Sequence, residues 1–525
     1  MESHSRNHRP AASRAARTVS SRRSKSTARE AAARSIAVID IGSNSVRLVV
    51  YQRLVRDLAP LFNEKTLCAL GREVQSTGLL APDAIAKALA ALKRYRALCR
   101  TMKVGRVLAI ATAACRDAAN GAEFIAQAER ACGTRIDVLP GAREARLSAL
   151  GVASGFHHPD GIVGDLGGGS LELIDIHDHD LRFGQTLPLG GLTLLDRSKK
   201  SPKRAARIVR DELAKAPHLQ GGAGRNFYAV GGTWRAFARL HILQSGYPLH
   251  VMHGYSIPAK EALAFARKVR RLSAANVLAD VEEVAGPRRP LLTYAALVLE
   301  HIIRIAKPAA IVFSTYGVRE GLLFELMPET ERRRDGLIAA ARTLNDLRAR
   351  SPRHADDLID WTDRLAKAIG LKETVDERRL RHTACLLSDV GWRAHPDYRG
   401  QQTMAVVSNA NFGTVSHQGR AFLALAVFYR YAGLKAENEA PDLVRALVPP
   451  RVAERARLIG AMMRVAMLIS AAQPGVLAAT RFRSEGRKLK LVFEPRVAAL
   501  AADRVASRFK QFARLVGRSG TVVAR

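Results

Sequence analysis

A chain of 525 residues, 47% hydrophobic and 25% charged, is long enough for several packed domains, which excludes a fibrous or wholly disordered protein. Its net charge of +35 indicates a polyanionic partner. Five cysteines without CxxC spacing argue against a zinc site and against disulfide stabilisation. Because no apolar run reaches membrane length and the N-terminus has no apolar signal core, we expect a cytoplasmic protein that does not enter a membrane.

The first elements follow a basic N-terminal tail. Residues 1–34 hold nine Lys or Arg residues, two glutamates and little apolar content, which predicts disorder. Residues 38–50 then alternate around a Gly-Ser-Asn turn that contains Ser43 and Asn44, which predicts a β-hairpin. Further along, apolar spacing predicts a helix over residues 81–102.

Two charged residues of this region are candidates for a functional site. Arg116 follows a predicted strand over 106–111, and ligands approach open α/β sheets at such strand ends. Its guanidinium is suited to hold a phosphate in a bidentate way, although an ordinary surface arginine fits the spacing equally well. Glu144 begins the helix after predicted helix 120–132 and strand 135–139, where a glutamate usually only stabilises the helix dipole.

Residues 162–176 form two apolar, alternating strands joined by three glycines, which predicts a second β-hairpin. Three glycines let the backbone approach a ligand closely and aim several N–H groups at one phosphate. The candidate phosphate-binding positions of this turn are Gly168, Gly169 and Ser170. Asp165 enters the turn and Glu172 leaves it. Because carboxylates beside a phosphate repel it unless a cation lies between them, the pattern predicts Mg²⁺ or a related divalent cation.

The two hairpins are copies of one pattern. Residues 38–50 match residues 163–175 at a constant offset of 125, so that Asp40 falls on Asp165. Two copies of a strand–turn–strand unit predict two related half-domains that each bring a phosphate-binding hairpin to a shared cleft. This is the layout of the actin-like, hexokinase-like and heat-shock-like fold, and the predicted fold class is therefore α/β.

Further signals follow the second hairpin. Gly232 and Thr233 lie in a Gly-Gly-Thr turn between a predicted strand and a helix, which is a third phosphate-loop pattern. Another strand is predicted over residues 310–317. Basic residues in this region fit either a solvated surface or a track for a long anion. They are Lys199, Lys200, Lys203, Arg204, Arg270, Arg271, Arg288 and Arg289.

Beyond about residue 330, helical patterns dominate to about residue 475. Residues 382–391 resemble the His-Asp doublet of metal-dependent phosphohydrolases, but Ser388 stands in place of the metal-binding histidine, so we expect no working metal centre there. A hairpin over 480–494 and a basic helix over 501–515 close the chain. The predicted domains are a tail (1–34), two actin-like half-domains (35–155 and 156–330), a helical degenerate His-Asp-like domain (331–475) and a small α+β region (476–525).

Several of these segments together resemble the exopolyphosphatase and guanosine pentaphosphate phosphohydrolase family. They are DIGSNS (40–45), residues 112–116, EAR (144–146), DLGGGSLEL (165–173), VGGT (230–233) and STYGVREGLL (314–323). The resemblance implies that Glu144 positions or deprotonates the attacking water and that Asp165 and Glu172 lie near the divalent cation. It also implies eight phosphate contacts: Ser43, Asn44, Arg116, Gly168, Gly169, Ser170, Gly232 and Thr233.

The expected function is that of an exopolyphosphatase, a hydrolase that removes terminal orthophosphate from inorganic polyphosphate with Mg²⁺. The alternative within the family is hydrolysis of guanosine pentaphosphate to the tetraphosphate. Two alternatives of other classes are an actin-like nucleotide-binding scaffold and a basic nucleic-acid binder. The paired phosphate hairpins argue against the nucleic-acid binder. The resemblance further implies a homodimer.

Overall fold

The computed structural model describes residues 35–274, 278–280, 286–434 and 442–524. The predicted basic tail therefore lies outside the described residues. Within these ranges, no helix combines the length and apolarity that a membrane crossing requires. The described residues form two compact units, and the boundary between them lies between Arg143 and Glu144.

The first unit is built on a five-stranded sheet of order β3-β2-β1-β4-β5. Its strands are β1 (Ile36–Ile41), β2 (Ser45–Tyr51), β3 (Pro60–Leu67), β4 (Arg106–Ala111) and β5 (Ile136–Val138). Strands β1 to β3 are antiparallel neighbours, whereas β4 runs parallel to β1 and β5 parallel to β4. Its helices are Val74–Thr77, Pro82–Thr101, Ala113–Asp117 and Gly121–Cys132. The Pro82–Thr101 helix starts with a proline and an aspartate, both favoured in a first turn.

The second unit contains a six-stranded sheet of order β8-β7-β6-β9-β11-β10. Its strands are β6 (Asp160–Leu166), β7 (Leu171–His177), β8 (Asp180–Leu187), β9 (Asn226–Val230), β10 (Ser256–Pro258) and β11 (Ala310–Phe313). The accompanying α-helices are Gly141–Gly155, Gly191–Arg197, Pro202–Leu213, Gly232–Ser245, Ala259–Ala274, Arg289–Ala306, Val318–Leu326 and Glu329–Arg332. Two 3₁₀ turns, Pro217–Gly222 and Gly286–Arg288, complete this part.

The two sheets repeat one topology, which confirms the predicted duplicated actin-like fold. In each sheet, three consecutive antiparallel strands form a β-meander. The first strand of this meander also pairs, on its other side, with a parallel strand. The hairpin turns also match in detail. Gly42 N–H donates to the Ser45 carbonyl over 3.0 Å, and Gly167 N–H donates to the Ser170 carbonyl over the same distance. The sequence repeat is therefore a repeat of backbone structure.

Helices and a small sheet form the C-terminal part of the second unit. The α-helices are Gly336–Arg348, His354–Ile369, Val375–Leu387, Arg399–Asn409, His417–Ala432, Asp442–Arg445, Pro450–Ser470 and Asp503–Leu515. The 3₁₀ turns are Pro396–Tyr398, Leu477–Ala479 and Pro495–Leu500. The sheet consists of β12 (Thr480–Glu485), β13 (Lys488–Phe493) and β14 (Ser519–Ala524). Apolar side chains of β13 share one core with the helices. The predicted domain boundaries stay predictions.

Candidate active site

One edge of the second sheet gathers the loops that the sequence singles out. Strands β6, β9 and β11 are parallel neighbours, and Asp165 on β6 pairs with Val230 on β9. Their carboxyl ends therefore meet at the same edge, which is where ligands bind to open α/β sheets. The glycine turn after β6, the Gly-Gly-Thr loop after β9 and residues 314–317 after β11 all leave from this edge.

The turn of three glycines is supported by the helix that follows β8. The carbonyl groups of Gly167 and Gly168 accept hydrogen bonds from Gly191 N (3.1 Å) and Leu192 N (2.9 Å). A methyl group on Gly190 would lie only 2.3 Å from the carbonyl carbon of Gly169, so a larger residue displaces the turn. These hydrogen bonds fix the backbone of the turn. The N–H groups of Gly168, Gly169 and Ser170 are the ones suited to receive an anion. Nothing in the sequence pattern indicates this supporting role of Gly190.

Two carboxylates lie beside this turn on adjacent strands. Asp165 and Glu172 are directly paired in the antiparallel register of β6 and β7, so both side chains lie on the same face of the sheet. Glu172 is buried and Asp165 is half-buried. Like charges in directly opposed positions destabilise a sheet, and a divalent cation between them removes this cost. In the first hairpin Arg47 occupies the position of Glu172, opposite Asp40, so the carboxylate pair belongs to the second copy alone.

The Gly141–Gly155 helix carries Glu144 and also contacts one of these carboxylates. Glu144 lies in the first turn of this helix and is buried. One turn later, on the same face of the helix, Ser148 Oγ donates a 2.7 Å hydrogen bond to Asp165 Oδ2. Ser148 therefore links the helix face that carries Glu144 to Asp165.

Glycines fix the position of that helix. A methyl group on Gly151 would lie 2.2 Å from the Gly317 carbonyl oxygen, and one on Gly321 would lie 1.8 Å from the Leu147 carbonyl oxygen. The Gly141–Gly155 helix thus packs with backbone-to-backbone contact against the Val318–Leu326 helix, and neither glycine tolerates a side chain without movement. This close approach explains Gly321 of the STYGVREGLL segment.

The Gly-Gly-Thr loop supplies a helix N-terminus at the same edge. Gly231 has a φ of +114°, and a methyl group there would lie 2.3 Å from the Leu166 carbonyl oxygen, so glycine is required. Gly232 and the buried Thr233 then open a 14-residue helix, whose exposed N–H groups and dipole favour an anion.

Arg288 lies against this helix N-terminus. Its Nε lies 3.0 Å from the position of a methyl group built on Gly232. Burial lowers the pKa of the Arg288 guanidinium, and no ion pair joins it to another described residue. From the sequence, Arg288 is a candidate only as part of a possible basic track, because no sequence signal links it to Gly232.

The predicted residues of the first unit form a group of their own. Ser43 Oγ accepts a 3.2 Å hydrogen bond from Ala114 N, at the start of the short helix that carries Arg116. Arg116 itself donates to the Leu139 carbonyl over 2.9 Å and to Asp117 Oδ1 over 3.0 Å. The carbonyl of Asn44 accepts hydrogen bonds from the N–H groups of the residues at 68 and 69. The structure thus brings Ser43 and Arg116 to neighbouring positions, and their phosphate contacts stay predictions.

The basic residues of the possible track differ in their exposure and in their ion pairs. Lys199 and Lys200 stand in left-handed backbone conformations in an exposed turn, followed by the exposed residues Lys203 and Arg204 in the first turn of the next helix. Arg270, by contrast, forms an ion pair with the buried Glu300. Its guanidinium therefore has a structural role.

The carboxylate pair supplies two of the ligands that a magnesium ion requires. The described ranges contain no group of three His, Cys, Asp or Glu residues placed to hold a metal ion. Magnesium is commonly bound by one or two carboxylates, with substrate phosphates and waters completing its octahedron. Asp165 and Glu172 fit this mode of binding.

A protein-family profile described as the Ppx/GppA phosphatase family matches residues 34–330, and the profile described as "Exopolyphosphatase, C-terminal" matches residues 337–523. The chain belongs to the Ppx/GppA phosphatase family. This membership confirms the predicted resemblance and identifies the chain as a phosphatase.

Named relatives of this Ppx/GppA chain fall into several groups. It is 27% identical over 446 residues to Retrograde regulation protein 2 of Saccharomyces cerevisiae, covering 77% of this chain and 73% of the relative. It is 27% identical over 314 residues to Exopolyphosphatase 2 of Mycobacterium tuberculosis, covering 55% of this chain and 98% of the relative. It is 25% identical over 308 residues to a guanosine-5'-triphosphate,3'-diphosphate pyrophosphatase of Pseudoalteromonas translucida, covering 56% and 59%.

Proposed function

We propose that this phosphatase is an exopolyphosphatase, which releases terminal orthophosphate from inorganic polyphosphate by metal-assisted attack of water. The observation that carries the proposal is the direct pairing of Asp165 and Glu172 across β6 and β7 beside the turn of three glycines. A phosphate bound at this turn brings its charge against two carboxylates, so the arrangement is stable only with a cation shared among them. Relatives named exopolyphosphatase support the choice of substrate.

The terminal phosphate is held by backbone and side-chain donors. The N–H groups of Gly168 and Gly169 and the hydroxyl of Ser170 bind its oxygens at the first loop. Gly232 and Thr233 bind from the helix N-terminus of the second loop. Arg288, whose guanidinium lies at Gly232, adds a positive charge. Such donors bind the equatorial oxygens on which charge spreads during phosphoryl transfer.

Asp165 and Glu172 would hold the cation, and Ser148 keeps Asp165 in place through its hydrogen bond. The cation, which we take to be Mg²⁺, neutralises charge on the transferred phosphoryl group when it is bound. Because the protein supplies two carboxylates, affinity for the cation depends on substrate oxygens.

Glu144 positions the attacking water and accepts its proton. It is the carboxylate that lies at the start of the helix whose next turn contacts Asp165. A base held next to the metal-bound phosphate needs a fixed helix, and the glycine contacts of Gly151 and Gly321 provide one. General-base catalysis of this kind typically contributes about 10² to 10⁴ in rate.

Ser43, Asn44 and Arg116 of the first unit are proposed to be phosphate-binding residues. The Ser43 hydroxyl accepts a hydrogen bond from Ala114 N and retains its own proton to donate to a phosphate oxygen. The Arg116 side chain is 25% accessible.

The second candidate substrate is guanosine pentaphosphate, supported by the relative named for that class of reaction. The net charge of +35 favours a long polyanion over a nucleotide. We propose the cytoplasm as the compartment because all five cysteines are free, buried thiols, as a reducing environment permits. A homodimer is proposed on family resemblance, and the mass of the protein in solution tests it.

Orthophosphate release from long polyphosphate, guanosine pentaphosphate and ATP, each measured with Mg²⁺ and with a chelator, tests the proposal. We expect the highest kcat/KM with polyphosphate and no release with chelator. Preference for guanosine pentaphosphate would favour the second candidate. Release from ATP alone, or from none of the three, would contradict both.

A further inference from the structure

The position of the degenerate His-Asp doublet is occupied by arginines. Asp389 is buried, and Arg350 binds it in a bidentate way, with Nε 2.9 Å from Oδ2 and a terminal nitrogen 2.8 Å from Oδ1. The guanidinium of Arg430 lies on the other side of the same ion pair, 3.4 Å from Oδ1. With its carboxylate bound in this way, Asp389 is not available as a metal ligand.

A basic pocket of about 350 Å³ opens next to this cluster. Its walls come from three long helices and the segment before Arg399–Asn409. The residues that define it are Arg399, Arg430, Tyr431, Arg464, Arg504 and Arg508. Among the described residues that line it, none is Asp, Glu, His or Cys. Five guanidinium groups thus share one pocket without an acidic residue in its walls.

The polar groups of the pocket are incompletely satisfied. The buried Nε atoms of Arg430 and Arg464 and the buried hydroxyl of Tyr431 have no hydrogen-bond partner among the described residues. Buried polar groups are normally hydrogen-bonded, and an orphaned one commonly marks the place of a ligand or ion. Burial together with the neighbouring positive charges of Arg508, Arg430 and Arg504 lowers the pKa of Arg464 to about 10. A bound anion would supply acceptors for these groups and offset the repulsion among the arginines.

The geometry favours a phosphate chain over a nucleobase. The ring of Tyr431 is already in contact with the guanidinium of Arg430, 3.7 Å from its centroid, and that of Arg399 lies 5.8 Å away. The aromatic surface is therefore engaged by cations and does not present a free platform for base stacking. Guanidinium groups bind phosphate oxygens in pairs, and the volume lies at the small end of the range for ligand pockets.

We propose that this pocket is a second, non-catalytic anion site that binds a short phosphate chain, carried either by a free oligophosphate or by a nucleoside polyphosphate. Its described lining residues include no carboxylate, histidine or thiol that could hold a metal or activate water. A phosphate chain bound in this pocket is therefore not hydrolysed, in contrast to a chain bound at the glycine turn beside the carboxylate pair. The inference rests on the pocket itself and does not depend on the proposed function.

The test compares two charge reversals on one helix. Arg504→Glu with Arg508→Glu changes the pocket, whereas Lys510→Glu with Arg514→Glu makes the same change of charge, at the same spacing, outside the pocket-lining residues. Arg504, Lys510 and Arg514 are exposed and Arg508 is half-buried, so both pairs should keep the thermal midpoint of the wild type. Binding of tripolyphosphate to the full chain is measured by calorimetry with a chelator present.

We expect the wild type to bind one more equivalent of tripolyphosphate than the Arg504→Glu/Arg508→Glu variant, or to bind at this site roughly tenfold more tightly. The Lys510→Glu/Arg514→Glu variant should behave as the wild type. Equal losses in both variants, or no loss in either, would overturn the proposal. Because the chelator removes the cation on which phosphate binding at the glycine turn depends, this equivalent reports on the pocket alone, and failure of the proposed function would leave it unchanged. GTP serves as a second probe: equal binding of GTP and tripolyphosphate identifies the phosphate chain alone as the ligand, and tighter GTP binding identifies a nucleotide carrier.

Discussion

Ser148 Oγ lies 2.7 Å from Asp165 Oδ2 and donates a hydrogen bond to it. This contact joins the helix that carries Glu144 to the strand that carries one half of the carboxylate pair. It orients one carboxylate oxygen of Asp165. The contact therefore connects the proposed base and the proposed metal site through one pair of side chains.

The first prediction concerns this contact and the cation. Asp165→Asn should raise the Mg²⁺ concentration needed for half-maximal activity strongly, because a neutral amide is a poorer ligand for a hard cation. Ser148→Ala should raise it less, since the carboxylate stays charged but loses its orienting hydrogen bond. Activity measured against Mg²⁺ concentration tests both variants. An unchanged Mg²⁺ dependence in Asp165→Asn would remove this residue from the metal site.

The second prediction uses two adjacent glycines. A methyl group on Gly190 would lie 2.3 Å from the Gly169 carbonyl carbon, whereas one on Gly191 would make only ordinary contacts of 3.6 Å with Leu291. Gly190→Ala should therefore displace the glycine turn and raise KM for polyphosphate about tenfold or more, as loss of charge-assisted hydrogen bonds does. Gly191→Ala is the matched control and should stay near wild type. Similar kinetics for the two variants would show that the turn is not a phosphate site.

The third prediction concerns stability in acid. Burial lowers the pKa of His253 and of His417 to about 4. His253 Nδ1 accepts from Thr315 N and its Nε2 donates to the Gly155 carbonyl, so the neutral ring is fully used. Because the unfolded histidine has a higher pKa, the stabilisation is complete above about pH 6.5 and is lost as the pH falls towards 4, by about 2 kcal/mol per histidine at pH 5.

The thermal midpoint measured at pH 7 and at pH 5 checks this expectation. The drop between the two pH values should shrink in His253→Gln and His417→Gln, even if both variants are less stable at pH 7. His395→Gln is the control, since its side chain is 63% exposed. A wild-type-sized drop in the two buried-site variants would contradict the assignment.

The sequence predicted the elements whose physical cause is local. The Gly42 and Gly167 turns, the Pro82–Thr101 helix and the hairpin over residues 480–494 follow from apolar alternation, glycine and capping patterns, and all are present. Gly190 and Arg288 were not assigned to the glycine turn and the helix N-terminus, because their roles depend on contacts with residues 21 and 56 positions away in the chain. Such contacts leave no periodic signal. The roles of the predicted site residues stay predictions until the variants are measured.

The fourth prediction concerns substrate length. Four exposed basic residues lie after the second hairpin: Lys199, Lys200, Lys203 and Arg204. If they guide a long chain, changing all four to glutamate should raise KM for long polyphosphate much more than for tripolyphosphate. Affinity for the long chain should also fall more steeply with salt, because more condensed counterions are released on binding. Equal salt slopes for long and short substrates would identify these residues as an ordinary solvated surface.

The central claim is that Glu144 activates water for attack on a phosphate held at the turn of three glycines, beside the Asp165–Glu172 pair. Its most direct test is orthophosphate release from polyphosphate by Glu144→Gln, with polyphosphate affinity measured on the same preparation. We expect kcat to fall by about 10² to 10⁴ while the Kd changes by less than about threefold, because the amide keeps the shape of the side chain and loses its basicity. Near-normal kcat with unchanged affinity would contradict the account.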